Sequence, residues 1–236
     1  MENNTLTIKL ASDFRDYYDH VFAGSWQEAD ATYERVSTSG LARPEMLSMM
    51  ESINLKVPLH GTVTELREKL LGQLSYLGSS RLVDDYMREL MHVVVYLEPN
   101  AHRGEGKIKL SLTEAMQRYP GHYATQFIPA NGGRLGESLR YLRVGRRQFW
   151  LRYSSKDDWR SNVGDVNIEF LCEERPKSNE DMMRLSEPLL AVDFVKADGL
   201  YAIDYNIAPG LSGTGLEKVL TSSDILVELQ TWFAAR

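Results

Sequence analysis

Cysteine is nearly missing from this chain. Cys172 stands alone, so no internal disulfide can form, and a reducing cytoplasm is the expected compartment. No apolar run approaches the roughly 20 residues needed to cross a bilayer, and the amino terminus, MENNTLTIKL, lacks the basic-then-apolar order of a secretory signal. No membrane partner is therefore expected. Positive charge is also in deficit, with 27 Lys and Arg against 33 Asp and Glu, a formal net charge of −6. General nucleic-acid binding needs concentrated positive charge to displace counterions, so that class is set aside. Internal repeats and low-complexity tracts are absent, and no histidine or cysteine is placed as an obvious nucleophile. What is present is ordinary globular material: 236 residues, 43% hydrophobic and 25% charged, enough for one large core or two small ones.

The most informative stretch runs from Leu190 to Leu216, LAVDFVKADGLYAIDYNIAPGLSGTGL. Leu189–Val195 and Leu200–Ile207 are apolar or β-branched runs with acids at alternating places, and the Asp198-Gly199 pair between them is a strong two-residue hairpin signal. With that loop, Asp193 falls directly opposite Asp204, and Asn206 follows two residues later on the same face. Opposed carboxylates repel unless a cation or proton lies between them. A divalent cation is the simplest resolution, and two carboxylates with an amide oxygen suit Mg²⁺. The alternative is a solvated strand face with both acids in water. If a cation makes the pair tolerable, Asp193→Asn should leave the metal-free melting temperature unchanged or higher. Beyond the second strand, the glycines of Pro209–Gly215 allow backbone N–H groups to approach an anion closely.

An Asp in one strand, then acid-x-Asn and Pro-Gly in the next, resembles the metal-binding end of the ATP-grasp ligases. That family includes the D-alanine:D-alanine ligases and glutamate ligases that act on protein tails. Its second strand usually carries Glu where this chain has Asp204, one methylene shorter. Upstream, Thr125-Gln126-Phe127-Ile128-Pro129 is similar to the family's hinge segment, and Leu139–Gly145 to its arginine-bearing strand. Trp159-Arg160-Ser161-Asn162 resembles its phosphate-contacting Arg and Asn. These four segments occur in family order over roughly Val93–Glu217.

Around them, the sequence predicts a strand at Thr5–Leu10 and an aromatic segment, Asp13–Phe22, of structural role. A helix is expected over Pro44–Ile53, with Met46, Leu47, Met50 and Ile53 on its core side. A second runs from Val63 to about Leu77, capped by Thr62 with Glu65 three residues on, and a third covers Arg81–Leu90. Met91–Leu97 reads as a buried strand. The glycine-punctuated loop Glu98–Lys107 then suits closure over phosphates through Arg103, Gly104, Gly106 and Lys107; its alternative is a solvated hairpin turn. After the Lys107–Leu112 strand come a short helix at Thr113–Tyr119 and a strand at Tyr123–Ile128. A hairpin pairs Leu139–Val144 with Gln148–Tyr153, followed by a strand at Val166–Cys172. Short and longer helices are expected at Asp181–Glu187 and Asp224–Phe233, the latter capped by Ser223.

The resemblance implies an α+β, ATP-grasp-like fold of antiparallel sheets in two subdomains with nucleotide between them. Its organisation would be a reduced amino-terminal region (1–90), a small lid-bearing subdomain (91–128) and a larger subdomain with the metal hairpin (129–236). It implies an ATP-dependent carboxylate–amine ligase that works through an acyl-phosphate. Asp193, Asp204 and Asn206 would hold Mg²⁺, while Arg140, Arg160 and Asn162 steady phosphate oxygens. Arg103, Gly104, Gly106, Lys107, Gln126, Phe127 and Ile128 would receive ATP, the last three through backbone groups. The partners would be ATP and an unidentified carboxylate and amine. The family usually has a lysine on the strand before the lid, where this chain has Tyr96, which leaves Lys107 or Lys109 as the substitute. That departure keeps open a non-catalytic nucleotide-binding module, and a small-molecule kinase would use the same site.

Overall fold

Two-residue and three-residue turns such as Gly145-Arg146 and Ala197–Gly199 permit only antiparallel pairing of the strands they join, and the computed structural model has two antiparallel sheets. It describes residues 42–74, 91–98, 106–130, 136–174, 182–185, 187–206, 209–211 and 213–234. The elements expected at Thr5–Leu10, Asp13–Phe22 and Arg81–Leu90 lie outside these residues, as do Arg103 and Gly104.

The smaller sheet contains β1 (His60–Thr62), β2 (His92–Tyr96), β3 (Lys107–Ser111) and β4 (Tyr123–Gln126), in the order β1-β4-β2-β3. Its four antiparallel strands pair Val95 with Ile108 and with Ala124 across β2. Val93 and Val95 turn one face into a core with Val63, Leu66 and Leu70 of a helix and with Leu112 and Ala115 of another. The first of these helices, Val63–Leu74, starts where the sequence predicts: Thr62 Oγ1 accepts from the Glu65 N–H, and Glu65 accepts from the Thr62 N–H at 2.9 Å. These two orphan donors are thereby satisfied. The other face of β2, Val94 and Tyr96, is left for a cavity.

The larger sheet is ordered β7-β6-β5-β8-β9, from β5 (Glu137–Val144), β6 (Arg147–Ser155), β7 (Val166–Glu174), β8 (Leu189–Lys196) and β9 (Leu200–Asn206). Both faces of its centre are apolar, so both are covered. Leu142, Phe149, Leu151 and Leu189 pack with Ile225 and Leu229 of the carboxy-terminal helix. Tyr141, Leu190, Val192 and Ala202 pack with Met46, Leu47 and Met50. The latter three form the buried stripe of α1 (Arg43–Ser52), the described helix that precedes α2 (Val63–Leu74), α3 (Leu112–Arg118) and α4 (Ser222–Ala234).

Two expectations are corrected. The cap of α4 is Thr221 rather than Ser223, since Thr221 Oγ1 accepts from Asp224 N–H and Asp224 accepts from Thr221 N–H at 2.8 Å. In place of a helix at Asp181–Glu187 there is a 3₁₀ turn, Met182–Arg184. Its carbonyls are claimed by Arg143, which is fully buried. The guanidinium donates to the carbonyls of Met182 (3.0 Å), Leu185 (2.8 Å) and Glu187 and lies over Trp232.

Candidate functional site

The β8–β9 hairpin keeps the expected pairing of Asp193 with Asp204, but by a different route. The loop is Ala197–Gly199, closed by Ala197 N–H to the Gly199 carbonyl at 2.9 Å, and Lys196 faces Leu200. Such a three-residue loop shifts the register by one and would turn every later side chain to the opposite face. A bulge restores it: Phe194 pairs with Ala202 and Asp193 with Asp204, leaving Ile203 as the extra residue. Asn206 pairs with Ala191 and shares the acids' face.

The expectation that repulsion between these acids calls for a metal does not hold, because each already has a guanidinium. Arg140 grips Asp193 bidentately, Nε to Oδ1 at 2.7 Å and NH2 to Oδ2 at 2.9 Å, and donates to Tyr153 Oη at 3.1 Å. Arg43, at the start of α1, donates from NH1 to Asp204 Oδ1 at 2.6 Å and to the Ile203 carbonyl at 3.1 Å. Arg43 is almost fully buried. Burial opposes its charge, yet Asp204 holds its pKa above the ordinary value. For Asp204, burial works against ionisation, but Arg43, Lys107 and Arg140 together keep the carboxyl below its usual range.

Two cavities meet at this acid pair, and Asp193, Asp204 and Asn162 line both. The first lies between the sheets, walled by Val94, Tyr96 and Lys107 on one side and Ser138, Arg160 and Ser161 on the other. Gln126, Phe127 and Ile128, expected to receive the nucleotide, also line it. The Gln126 N–H is used on Leu59 (2.8 Å) and the Phe127 N–H on His92 (2.9 Å). Of the three, only the Ile128 N–H makes no hydrogen bond among the described residues. The second cavity is walled by Arg140, Tyr153, Ile168, Asn206 and Gly210.

Lys107 stands directly across the strand pair from Tyr96, and both line the cavity between the sheets. Burial pushes its ammonium down to about 8, helped by the nearby Arg43 charge and resisted by Asp204 and Asp193. Lys109 is engaged differently: its Nζ sits 3.9 Å from the centre of the Phe127 ring. Gly106 forms the turn before Lys107 and accepts from Leu97 N–H at 2.7 Å, with φ at +60°, where glycine carries no penalty.

The Trp159–Asn162 segment is held by its own neighbours. Asp158 accepts from Arg160 Nε at 2.9 Å and NH2 at 2.8 Å, and Ser161 Oγ meets Ser138 Oγ at 2.7 Å. Gly136 permits this docking, because a Cβ there would come within 2.5 Å of the Arg160 carbonyl carbon. Gly136→Ala is expected to displace this segment and to cost about 1–3 kcal/mol, read by thermal denaturation. An unchanged melting temperature would mean that the loop gives way freely.

The donor chemistry suits one hard cation. Asp204 retains Oδ2, and Asp193 and Asn206 add oxygens on the same face. No cluster of three His, Cys, Asp or Glu able to hold a metal occurs among the described residues, so the third ligand would have to be the amide. Arg43 is the site residue that sequence reasoning missed. It lies outside every motif, and its one local signal is its place at the first turn of a helix.

No protein-family model and no curated protein sequence matches the chain. Among solved structures, the ATP-grasp ligase PsnB complexed with a phosphomimetic variant of its minimal precursor, Mg and ADP is similar at a TM-score of 0.53 and 13% identity. That match covers 93% of this chain and 69% of PsnB. PsnB complexed with its minimal precursor gives 0.55 at 13% identity, covering 83% of this chain and 61% of that one.

Proposed function

From the ATP-grasp fold that this chain has, we propose that it is an ATP-dependent ligase joining a carboxylate to an amine through an acyl-phosphate. The observation that carries this reading is the meeting of two cavities at Asp193, Asp204 and Asn162. Nucleotide would occupy the cavity between the sheets, against Ile128, with Lys107 and Arg160 on its phosphates. The acid substrate would enter the second cavity, beside Arg140 and Tyr153, so that its carboxylate reaches the γ-phosphate at the junction. Mg²⁺, held by Asp193, Asp204 and Asn206, would neutralise phosphate charge. Phosphoryl transfer asks for positioning and charge stabilisation rather than covalent work by the protein. Arg140 can exchange one oxyanion for another: it is pre-set on Asp193, faces the cavity, and offers the planar fork that binds phosphate or carboxylate bidentately. Asn162 would add an amide donor to the same oxygens.

The test is ATP turnover against mixtures of amino acids, amines and small carboxylates. The expected result is ADP and orthophosphate in equal amounts, formed only when an acid and an amine are both present. ADP without orthophosphate would make the protein a kinase, and metal-dependent ATP binding without turnover would make it a binding module.

A further inference from the structure

Four side chains stand in one row across the larger sheet. Arg140 on β5 pairs with Asp193 on β8, which pairs with Asp204 on β9. Tyr153 on β6 lies diagonal to Arg140 on the same face, because Leu151 pairs with Arg140 and Tyr153 with Ser138. Three members of the row are charged and engaged with one another or with Arg43. Tyr153 is the neutral one. We propose that its hydroxyl binds the acid substrate, donating its proton to the carboxylate that Arg140 meets in the second cavity, and that these two donors together select a single negative charge there. The inference rests on the ligase reading above.

Hydrogen bonding is the first support. Arg140 gives Nε and NH2 to Asp193 and NH1 to Tyr153 Oη at 3.1 Å, and its guanidinium carbon lies 4.4 Å from the centre of the Tyr153 ring. The phenol oxygen therefore accepts, while its own hydrogen has no acceptor among the described residues. Tyr153 is 7% exposed and lines the second cavity, so a group bound there is the acceptor within reach. Burial pushes the hydroxyl's pKa up, against the pull of Arg140, so the proton is present at neutral pH. A hydroxyl that accepts from a cation is polarised into a stronger donor.

Charge distribution is the second. Lys107 and Arg160 line only the cavity between the sheets, and Arg43 lines neither. Among the described residues, Arg140 is the one cation on the wall of the second cavity, where Asp193 and Asp204 already face it. Such a wall offers little net positive charge to a polyanion such as a nucleotide's phosphates. A monoanion needs less: one guanidinium, with neutral donors from Tyr153 and the Asn162 amide beside it. Ile168 and Ala191 supply an apolar surface for the carbon chain that carries the carboxylate.

The deciding experiment titrates the full chain with butyrate, and with butyramide as its neutral counterpart, and follows saturable NMR shifts with and without Mg²⁺ and a non-hydrolysable ATP analogue. Calorimetry measures the analogue separately. Wild type is expected to prefer butyrate to butyramide, and Tyr153→Phe, which keeps the ring, to weaken butyrate by about tenfold or more while binding the analogue as wild type does. Equal butyrate affinity in the two proteins overturns the inference and leaves the ligase reading intact, as does a wild type that binds the analogue but no butyrate. Weakened analogue binding in Tyr153→Phe with butyrate unchanged assigns the hydroxyl to phosphate and also overturns it. Failure of the analogue to bind wild type overturns the nucleotide reading, and the titration without nucleotide then decides Tyr153 by the same tenfold criterion. If Tyr153→Phe does not fold, 3-fluorotyrosine placed at position 153 reports directly: its ¹⁹F resonance is expected to move saturably with butyrate, and a resonance that stays put overturns the inference.

Discussion

Asp204→Asn is expected to destabilise the ligand-free protein by about 3 kcal/mol, because it leaves the Arg43 guanidinium buried opposite a neutral amide. For a chain of this size that is a fall of roughly 6–12 °C in Tm. The same variant should lose the rise in Tm that Mg·ATP produces, since it removes a proposed metal oxygen. Asp193→Asn strands Arg140 in the same way, so a lower ligand-free Tm is expected there too. This reverses what two opposed acids suggest on their own, where removing one would relieve repulsion. Thermal denaturation with and without Mg·ATP separates the two. An unchanged or raised ligand-free Tm for Asp204→Asn would show that the Arg43 pair contributes nothing. A double variant, Arg43→Met with Asp204→Asn, should be more stable than Asp204→Asn alone, because it no longer buries an unpaired charge.

Lys107→Met is expected to reduce kcat/KM for ATP by about 100-fold or more, the size of effect that follows loss of a preorganised group at developing charge. It should not lower stability. Folding moves the Lys107 pKa down from 10.5 to about 8, so between those values the unfolded chain holds more protons than the folded one. The sign is then fixed: the charged, buried lysine costs stability at neutral pH, and that cost fades as pH rises from about 8 to 10.5. Nucleotide affinity runs the opposite way. It should decline as pH rises through about 8, because the ammonium proposed to meet the phosphates is being lost. Lys107→Arg should retain affinity past that point, and Lys107→Met should be weak and flat. Binding measured by calorimetry across this range checks all three. A wild-type profile that stays level would place the phosphates elsewhere in the cavity.

Features that depend on near neighbours in the chain were legible in the sequence. The capping box of Thr62 and Glu65 satisfies two donors within four residues, and the β-branched run around Val93–Val95 reads as a buried strand, with Val93 and Val95 in the core and Val94 on the cavity side. The order of motifs pointed to the ATP-grasp fold, because that order lies along the chain itself. The pairing of Asp193 with Asp204 was read correctly through two errors that cancel: a loop one residue longer than expected, and a bulge that returns the extra residue. Both are choices of backbone strain and sheet twist, which side-chain patterns do not specify.

Tertiary structure alone decided what the acids touch. Arg43 and Asp204 are separated by 161 positions, and Arg140 and Asp193 by 53. Such pairs form because packing of α1 against the edge strand and of β5 against β8 carries the charges together, and no periodicity records it. The same holds for Arg143, whose ligands are carbonyls in a segment that its own pattern describes as helix. It holds also for Lys107, which comes to line the cavity beside Tyr96 only once the two face each other across a hydrogen-bonded pair of strands. The sequence determined which elements form and in what order; burial and pairing at long range decided which charges neutralise one another.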